Sequence, residues 1–133
     1  KRANLPNGAM PEYLGKVRGI IIDSFGKLSS LYRYADVAYI GGGFGAGIHN
    51  LNEAAVYGMP VIFGPNHAKF KEAADLIGCG GGFSVASKEE FNVTIDTLTG
   101  SRQSMGQAGE AAGKYIRDHL GATDLIYSDL FCK

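Results

Sequence analysis

The sequence predicts an α/β fold in which a parallel sheet is covered by helices on both faces. Short apolar runs rich in β-branched residues alternate with segments of about ten residues that carry apolar positions at helical spacing. These runs are continuously apolar, which is typical of strands buried in a parallel sheet. Glycine accounts for 20 of the 133 residues and clusters at Gly41–Gly47 and Gly78–Gly82. Glycine between apolar runs indicates a tight backbone geometry there.

The predicted strands and helices follow one another closely along the chain. Residues Lys1–Lys16 are polar and contain two prolines and two glycines, so we interpret them as a linker or frayed terminal segment before a domain over residues 17–133. The predicted strands are Val17–Asp23, Asp36–Gly41, Met59–Phe63 and Phe83–Val85. The predicted helices are Gly26–Tyr34, Asn50–Tyr57 ended by Gly58, His67–Ile77, one beginning at Ser87, Ser101–Leu120 and a last helical turn or two within Thr123–Phe131.

Several helix ends carry capping signals. Ser87 followed by Glu90 has the spacing of a capping box. The Gly78–Gly82 cluster predicts a helix C-cap and a turn with left-handed glycine. The His67–Ile77 helix is expected to present Phe70, Ala73, Ala74 and Ile77 on one side.

Composition narrows the class of protein. Lysine plus arginine and aspartate plus glutamate number 13 each, so the net charge is zero and a nucleic-acid partner is not indicated. Cys79 and Cys132 lie far apart, which favours reduced thiols over a disulfide scaffold or a metal site. No apolar run approaches the roughly 20 residues that span a bilayer, so we expect a soluble chain.

The segment Gly41–Glu53 is the leading candidate for a functional site. A predicted strand runs into glycines and then into a helix, and that arrangement suits a phosphate group. It is neither a P-loop, because no Gly-Lys-Ser/Thr follows, nor a good dinucleotide fingerprint. The alternative is a tight turn with no ligand.

Asn50 and Glu53 each have a structural and a functional interpretation. Asn50 is a good N-cap by residue type, and Glu53 stands three residues later, at capping-box spacing. Alternatively, the Glu53 carboxylate points into a cleft and accepts hydrogen bonds from ribose hydroxyls.

Two further segments follow predicted strands. After the third strand, Asn66, His67 and Lys69 are candidates to lie near an anionic sugar, although a Pro-Asn turn with surface lysines explains them equally. After the first strand, Ser24 can cap a helix while the backbone of Phe25–Lys27 can meet the edge of a base. Neither a Ser-His-Asp set nor an H-E-x-x-H or C-x-x-C pair is present, so no self-sufficient hydrolytic site is predicted.

The order of these motifs resembles one known family. The motifs are DSFGKL, ADVAYIGG, HNLNEA, PVIFGP and HAKFK, and the resemblance that they carry extends from about Val17 to about Val85. In combination they resemble the C-terminal domain of the 3-deoxy-D-manno-octulosonic acid (Kdo) transferases. Three positions depart from the family pattern: Phe25 replaces a commoner methionine, Lys27 an acidic residue and Asn52 a leucine.

The resemblance implies a set of contacts with the donor CMP-Kdo. Phe25, Gly26 and Lys27 would meet the cytosine through backbone groups. The turn from Gly42 and Gly43 to Gly47, with His49 and Asn50, would face phosphate and Kdo, and Glu53 would bind the ribose. No cofactor or metal is implied, and the catalytic carboxylate belongs to an N-terminal domain that also binds the lipid A precursor.

The resemblance also implies a GT-B architecture, with two Rossmann-like domains facing each other across a cleft. The present chain would be truncated at its N-terminal side, inactive alone, and lacking two strands between Val17–Asp23 and Asp36–Gly41. Because an uncovered sheet edge invites strand exchange, we expect a dimer or a swapped strand. The full-length protein would lie on the cytoplasmic face of the inner membrane and act in lipopolysaccharide biosynthesis in a Gram-negative bacterium.

Two other functions remain open from the sequence. A related GT-B enzyme that uses a UDP-sugar would share the glycine-rich turn and the helix glutamate, although His49-Asn50 favours the Kdo interpretation. A Rossmann-like binding or regulatory module without catalysis is the third hypothesis. Titration with CMP and UDP side by side would distinguish them.

Overall fold

A computed structural model describes residues 28–48 and 50–119 of the protein, which form a three-layer α/β arrangement. In chain order the elements are α1 (Leu28–Leu31), a 3-10 turn (Tyr32–Tyr34), β1 (Ala38–Ile40), α2 (Asn52–Ala55), β2 (Val61–Phe63), α3 (Lys71–Cys79), β3 (Gly82–Ser84), α4 (Lys88–Thr99) and α5 (Arg102–His119). The predicted strand at Val17–Asp23, the linker Lys1–Lys16 and the turn at Thr123–Phe131 lie outside the described residues.

The three described strands form one parallel sheet in the order β1-β2-β3. Ile40 is in register with Phe63, and Phe63 with Ser84, so the carboxyl ends of all three strands meet at one edge. The segments that follow β1 and β2 leave the sheet side by side at this edge. The predicted α/β fold with a parallel sheet is therefore confirmed.

Two apolar clusters lie on opposite faces of the sheet. Val61 and Phe63 are fully buried in a cluster with residues of α2, α3 and α5. Ile62 points to the other face, where it contacts residues of α4 and the first half of α5. Since successive strand residues alternate between faces, these clusters show that helices cover both sides, as predicted.

Helix α5 passes the amino ends of β2 and β3, opposite the edge where the strands end. Gly109 lies against Gly58, whose carbonyl oxygen a Cβ at position 109 would strike. A Cβ on Gly81 would come within 2.6 Å of the Ala112 backbone. Small residues on both sides thus let α5 pack directly against the backbone that precedes β2 and β3.

The helix ends agree with several predicted caps. The Ser87 hydroxyl accepts from the Glu90 N–H at 3.1 Å, while the Glu90 carboxylate reaches the N–H of Ala86 and not that of Ser87. Gly80 ends α3 in the left-handed conformation, with φ of 87°. Both the Ser87 cap and the left-handed glycine are confirmed. The capping box differs from the usual one because the Glu90 carboxylate accepts from the residue before Ser87.

The helix predicted over His67–Ile77 differs from the observed one. Helix α3 begins at Lys71 and extends to Cys79. Its buried residues are Ala73 and Leu76, whereas Ala74 is exposed and Ile77 is 39% exposed. The predicted apolar side was wrong at Ala74 and Ile77, because α3 begins at Lys71 and buries Ala73 and Leu76 instead. Phe70 precedes the helix and packs against the same core cluster.

Candidate functional site

The segment after β1 is a compact turn built on glycine. The carbonyl oxygen of Gly42 accepts hydrogen bonds from the N–H groups of Gly45 and Gly47, at 3.0 and 3.1 Å. Gly42 has φ of 92°, and a Cβ there would collide with the carbonyl oxygen of Gly47. Glycine is therefore required at this position by both conformation and space. Phe44, Gly45 and Ala46 are exposed, so the rim of the turn is open to a ligand.

The turn is held against the segment that follows β2. Gly43 lies so close to Gly64 that a Cβ on either residue would fall within 2.6 Å of the other's backbone. Asn66 donates its backbone N–H to the Gly43 carbonyl oxygen at 2.8 Å, and its side-chain amide donates to the carbonyl oxygen of Gly45. The ring of Phe70 lies 3.0 Å from the place a Cβ on Gly47 would occupy.

Asn50 and Glu53 follow the turn and line a cavity beside β1. Asn50 Oδ1 accepts from the Asn52 N–H at 3.0 Å, but the N-cap position of α2 is Leu51, so the predicted cap at Asn50 lies one residue too early. The cavity has a volume of about 620 Å³, within the range of small-molecule sites. It is lined by Gly41, Asn50 and Glu53 together with Leu31, Tyr32, Ala35, Val37 and the residues of β1.

Helix α2 is shorter than the predicted Asn50–Tyr57. Regular α-helix covers only Asn52–Ala55, and a turn then leads to Gly58, whose φ is 72°. Because a helix of one turn has a small dipole, the positive potential at its start is weak. Attraction for an anion at this site must therefore depend more on the backbone of the glycine turn.

The cavity places one carboxylate beside a buried phenol. Burial raises the pKa of Tyr32, and the negative charge of Glu53 raises it further. Tyr32 is 9% exposed and its ring lies 6.2 Å from that of Tyr57. The phenol is thus neutral across the physiological range, and Glu53 itself is exposed.

The three predicted sugar-binding candidates lie in the segment after β2. Asn66 and Lys69 are exposed, and His67 is half-buried, with its ring edge-on to Phe63 at 5.5 Å. Asn66 contacts the glycine turn directly, as described above. The structure therefore brings Gly42, Gly43, Asn50, Glu53 and Asn66 to the same edge of the sheet, while Phe25, Gly26, Lys27 and His49 lie outside the described residues.

Two parts of the site were not predicted. Leu31 and Tyr32 lie in the helix predicted over Gly26–Tyr34 and were not named as site residues, and Phe70 was placed only on the apolar side of a helix. Gly64 could have been found, because a glycine directly after a buried strand repeats the pattern of Gly41. Nothing in the local sequence indicates that Phe70 contacts Gly47.

Two features of the described residues bear on metal ions and membranes. Within 28–48 and 50–119, no three His, Cys, Asp or Glu side chains are grouped so that they could hold a metal ion. In the same ranges, no helix has the length and apolar character needed to cross a membrane.

Comparison with known proteins identifies relatives by sequence. A 3-deoxy-D-manno-octulosonic acid transferase of Bordetella pertussis is 35% identical over 106 residues, which is 76% of this chain and 24% of that protein. A protein of the same name from Rickettsia conorii is 39% identical over 107 residues, 78% of this chain and 23% of the relative. A bifunctional glycosyltransferase/methyltransferase of Fusobacterium nucleatum is 35% identical over 92 residues, 68% of this chain and 14% of the relative.

No family model matches the chain. The chain spans about a quarter of the length of the two transferases named 3-deoxy-D-manno-octulosonic acid transferase. The resemblance predicted from the motifs agrees with these relatives. The chain therefore carries a region related to the 3-deoxy-D-manno-octulosonic acid transferases.

Proposed function

We propose that this chain is the donor-binding part of a glycosyltransferase that moves Kdo from CMP-Kdo to a lipid A precursor. The observation that carries the proposal is that Gly41, Asn50 and Glu53 line the same cavity beside β1. In open α/β sheets ligands bind beyond the carboxyl ends of the strands, and Gly41 directly follows the carboxyl end of β1. The names of the sequence relatives support the identity of the sugar.

Each part of the donor has a proposed place. The exposed Glu53 carboxylate accepts hydrogen bonds from the ribose hydroxyls, and the apolar wall of Leu31 and Tyr32 lies beside the nucleoside. The backbone of Phe25, Gly26 and Lys27 contacts the cytosine. The glycine turn, including Gly42 and Gly43, with His49 and Asn50, faces the phosphate.

The sugar lies toward the segment after β2. Asn66, His67 and Lys69 follow β2 directly, and the exposed Lys69 ammonium supplies a positive charge for the Kdo carboxylate. Since the Asn50 Oδ1 already accepts from the Asn52 N–H, the amide NH₂ of Asn50 is the group that it offers to the phosphate.

The remaining features of the enzyme belong to the longer protein in this proposal. Residues 17–133 form the partial Rossmann-like domain of a GT-B enzyme, and residues 1–16 are its linker. The catalytic carboxylate and the acceptor site belong to an N-terminal domain, so the present chain binds donor but is inactive alone. The whole enzyme acts at the cytoplasmic face of the inner membrane in lipopolysaccharide biosynthesis.

Calorimetric titration of the chain with CMP and UDP tests the proposal. We expect measurable binding of CMP, weaker binding of UDP, and loss of CMP affinity in Glu53→Ala. The matched control is Glu89→Ala, which removes an exposed carboxylate from the first turn of α4, away from the cavity. Preference for UDP would favour a UDP-sugar enzyme, and absence of binding to either nucleotide would favour a module without a nucleotide ligand.

A further inference from the structure

The segment Gly64–Phe70, called here the clamp segment, contacts the glycine turn at three places. Gly64 lies against Gly43, and the Phe70 ring lies against Gly47. Between these two contacts, Asn66 makes both hydrogen bonds that join the clamp segment to the turn in the described structure. Asn66 is therefore the polar link between the two segments.

The two hydrogen bonds of Asn66 fix the orientation of two peptide groups. Its backbone N–H binds the carbonyl oxygen of Gly43, and its side-chain amide binds the carbonyl oxygen of Gly45. No cis peptide bond occurs in the described chain, and in a trans peptide the N–H points opposite to the carbonyl. The N–H groups of Phe44 and Ala46 consequently point away from Asn66.

These two N–H groups belong to residues on the exposed rim of the turn. Phe44 is 62% exposed, and Ala46 is exposed as well. The N–H groups of Gly45 and Gly47 are, by contrast, already bonded to the Gly42 carbonyl oxygen. Backbone N–H groups held in a concave turn form a site for an anion without any cationic side chain.

We propose that Asn66 is a positioning residue, which orients the N–H groups of Phe44 and Ala46 toward a bound phosphate without touching the ligand itself. The identity of the ligand rests on the proposed function. Because α2 has a single regular turn and adds little positive potential, the attraction for a phosphate depends more on these N–H groups.

Two variants separate the side-chain bond from the rest of the contact. Asn66→Ala retains the backbone bond to Gly43 and removes the bond to Gly45. Asn66→Asp keeps the size of the side chain, but its carboxylate cannot donate and faces the Gly45 carbonyl oxygen. The control is Asn92→Ala, which makes the same change at an exposed position of α4.

The first measurement is amide hydrogen exchange by NMR on the chain without ligand. We expect the Gly45 and Gly47 amides to exchange about fivefold faster in both Asn66 variants, since loss of one hydrogen bond is worth about 1 kcal/mol. The Val61 and Val85 amides, which donate to Gly81 and Phe63, should be unchanged. Unchanged exchange at Gly45 and Gly47 would overturn the proposal.

The second measurement compares CMP with cytidine, which lacks the phosphate. Loss of about tenfold in CMP affinity with little change for cytidine supports a positioning role. Faster exchange with full retention of CMP affinity would mean that Asn66 only stabilises the turn, and would overturn it. If the wild-type chain bound neither probe, the proposed function would fail, and the exchange rates alone would decide whether Asn66 orders the turn.

Discussion

Gly43 and Gly64 lie back to back at the ends of neighbouring strands. A Cβ on Gly43 would sit 2.5 Å from the Gly64 Cα, and a Cβ on Gly64 would sit 2.6 Å from the Gly43 carbonyl carbon. Both distances are far shorter than ordinary carbon contacts of about 3.5–4.0 Å. The glycine turn can therefore keep its place over the sheet only while both positions lack a side chain.

Gly43→Ala is expected to destabilise the protein by about 2–3 kcal/mol, because backbone on both sides prevents relaxation. The comparison variant is Gly45→Ala in the same turn, where the nearest atom to a Cβ is 3.9 Å away. Urea unfolding followed by circular dichroism measures the difference. Equal stability of the two variants would contradict the close contact between Gly43 and Gly64.

The proposed ribose contact predicts a preference between two nucleotides. If Glu53 accepts hydrogen bonds from both ribose hydroxyls, CMP should bind about tenfold or more tightly than 2′-deoxy-CMP, since a hydrogen bond to a charged group is worth about 1.5–3 kcal/mol. The Glu53→Gln variant should bind both nucleotides more weakly and lose most of that preference. Calorimetric titration measures all four affinities. A preference that survives in Glu53→Gln would assign the ribose contact to another residue.

Helix α5 offers a pair of glycines with opposite expected effects. A Cβ on Gly109 would strike the Gly58 carbonyl oxygen, whereas a Cβ on Gly106 meets nothing within 4 Å. Gly109→Ala should therefore destabilise the protein by about 1–3 kcal/mol through overpacking. Gly106→Ala should stabilise it by about 0.5–1 kcal/mol, because alanine has the higher helix propensity. Thermal unfolding that shifts both variants in the same direction would contradict the observed path of α5.

The central strand β2 was predictable because it is buried on both faces. Val61, Ile62 and Phe63 are all fully buried, so the sequence there has to be continuously apolar, and such a run is visible without a structure. The turn was predictable for a related reason. Gly42 has a positive φ and Gly43 has no room for a side chain, and both conditions require glycine, which is visible in the sequence.

The contacts of Phe70 and Asn66 could not be predicted in the same way. Phe70 stands three and six residues before Ala73 and Leu76, which is helical spacing, yet it precedes α3 and packs on Gly47. The packing partner lies 23 residues away in sequence, so local periodicity contains no information about it. Asn66 is a common turn residue by type, and only the tertiary contact shows which carbonyl oxygens it binds.

The raised pKa of Tyr115 predicts that the folded protein loses stability in alkaline solution. Its hydroxyl lies 3.2 Å from Asp75 Oδ2, and burial, reinforced by this hydrogen bond, raises the pKa of Tyr115 to about 12. An unfolded tyrosine has a pKa of about 10. The stabilising effect is therefore complete below pH 10 and is lost as pH rises from about 10 to about 12.

The Tyr115→Phe variant cannot ionise at this position and should lose less stability than the wild type over that pH range. The control is Tyr34→Phe, since Tyr34 is 80% exposed. Thermal unfolding at pH 9, 10, 11 and 12 measures the difference between each variant and the wild type. A constant difference between Tyr115→Phe and the wild type across this range would contradict the raised pKa.

One side of β1 has no strand partner among the described residues, and this predicts self-association by strand addition. Among the described residues β1 is an edge strand, and the Ala38 N–H donates to the Pro60 carbonyl oxygen on the β2 side. Because strand residues alternate in direction, the N–H of Tyr39 faces the open side. A second chain that adds a strand there needs this donor.

We expect a dimer by light scattering in the wild type and a monomer in Tyr39→Pro, which removes the N–H and leaves the ladder to β2 intact. Tyr39→Val is the matched control, because it loses the same ring and its contact with Phe91 but keeps the N–H. Circular dichroism checks that both variants are folded. A wild-type chain that elutes as a monomer, or a folded Tyr39→Pro that remains dimeric, would rule out strand addition at β1.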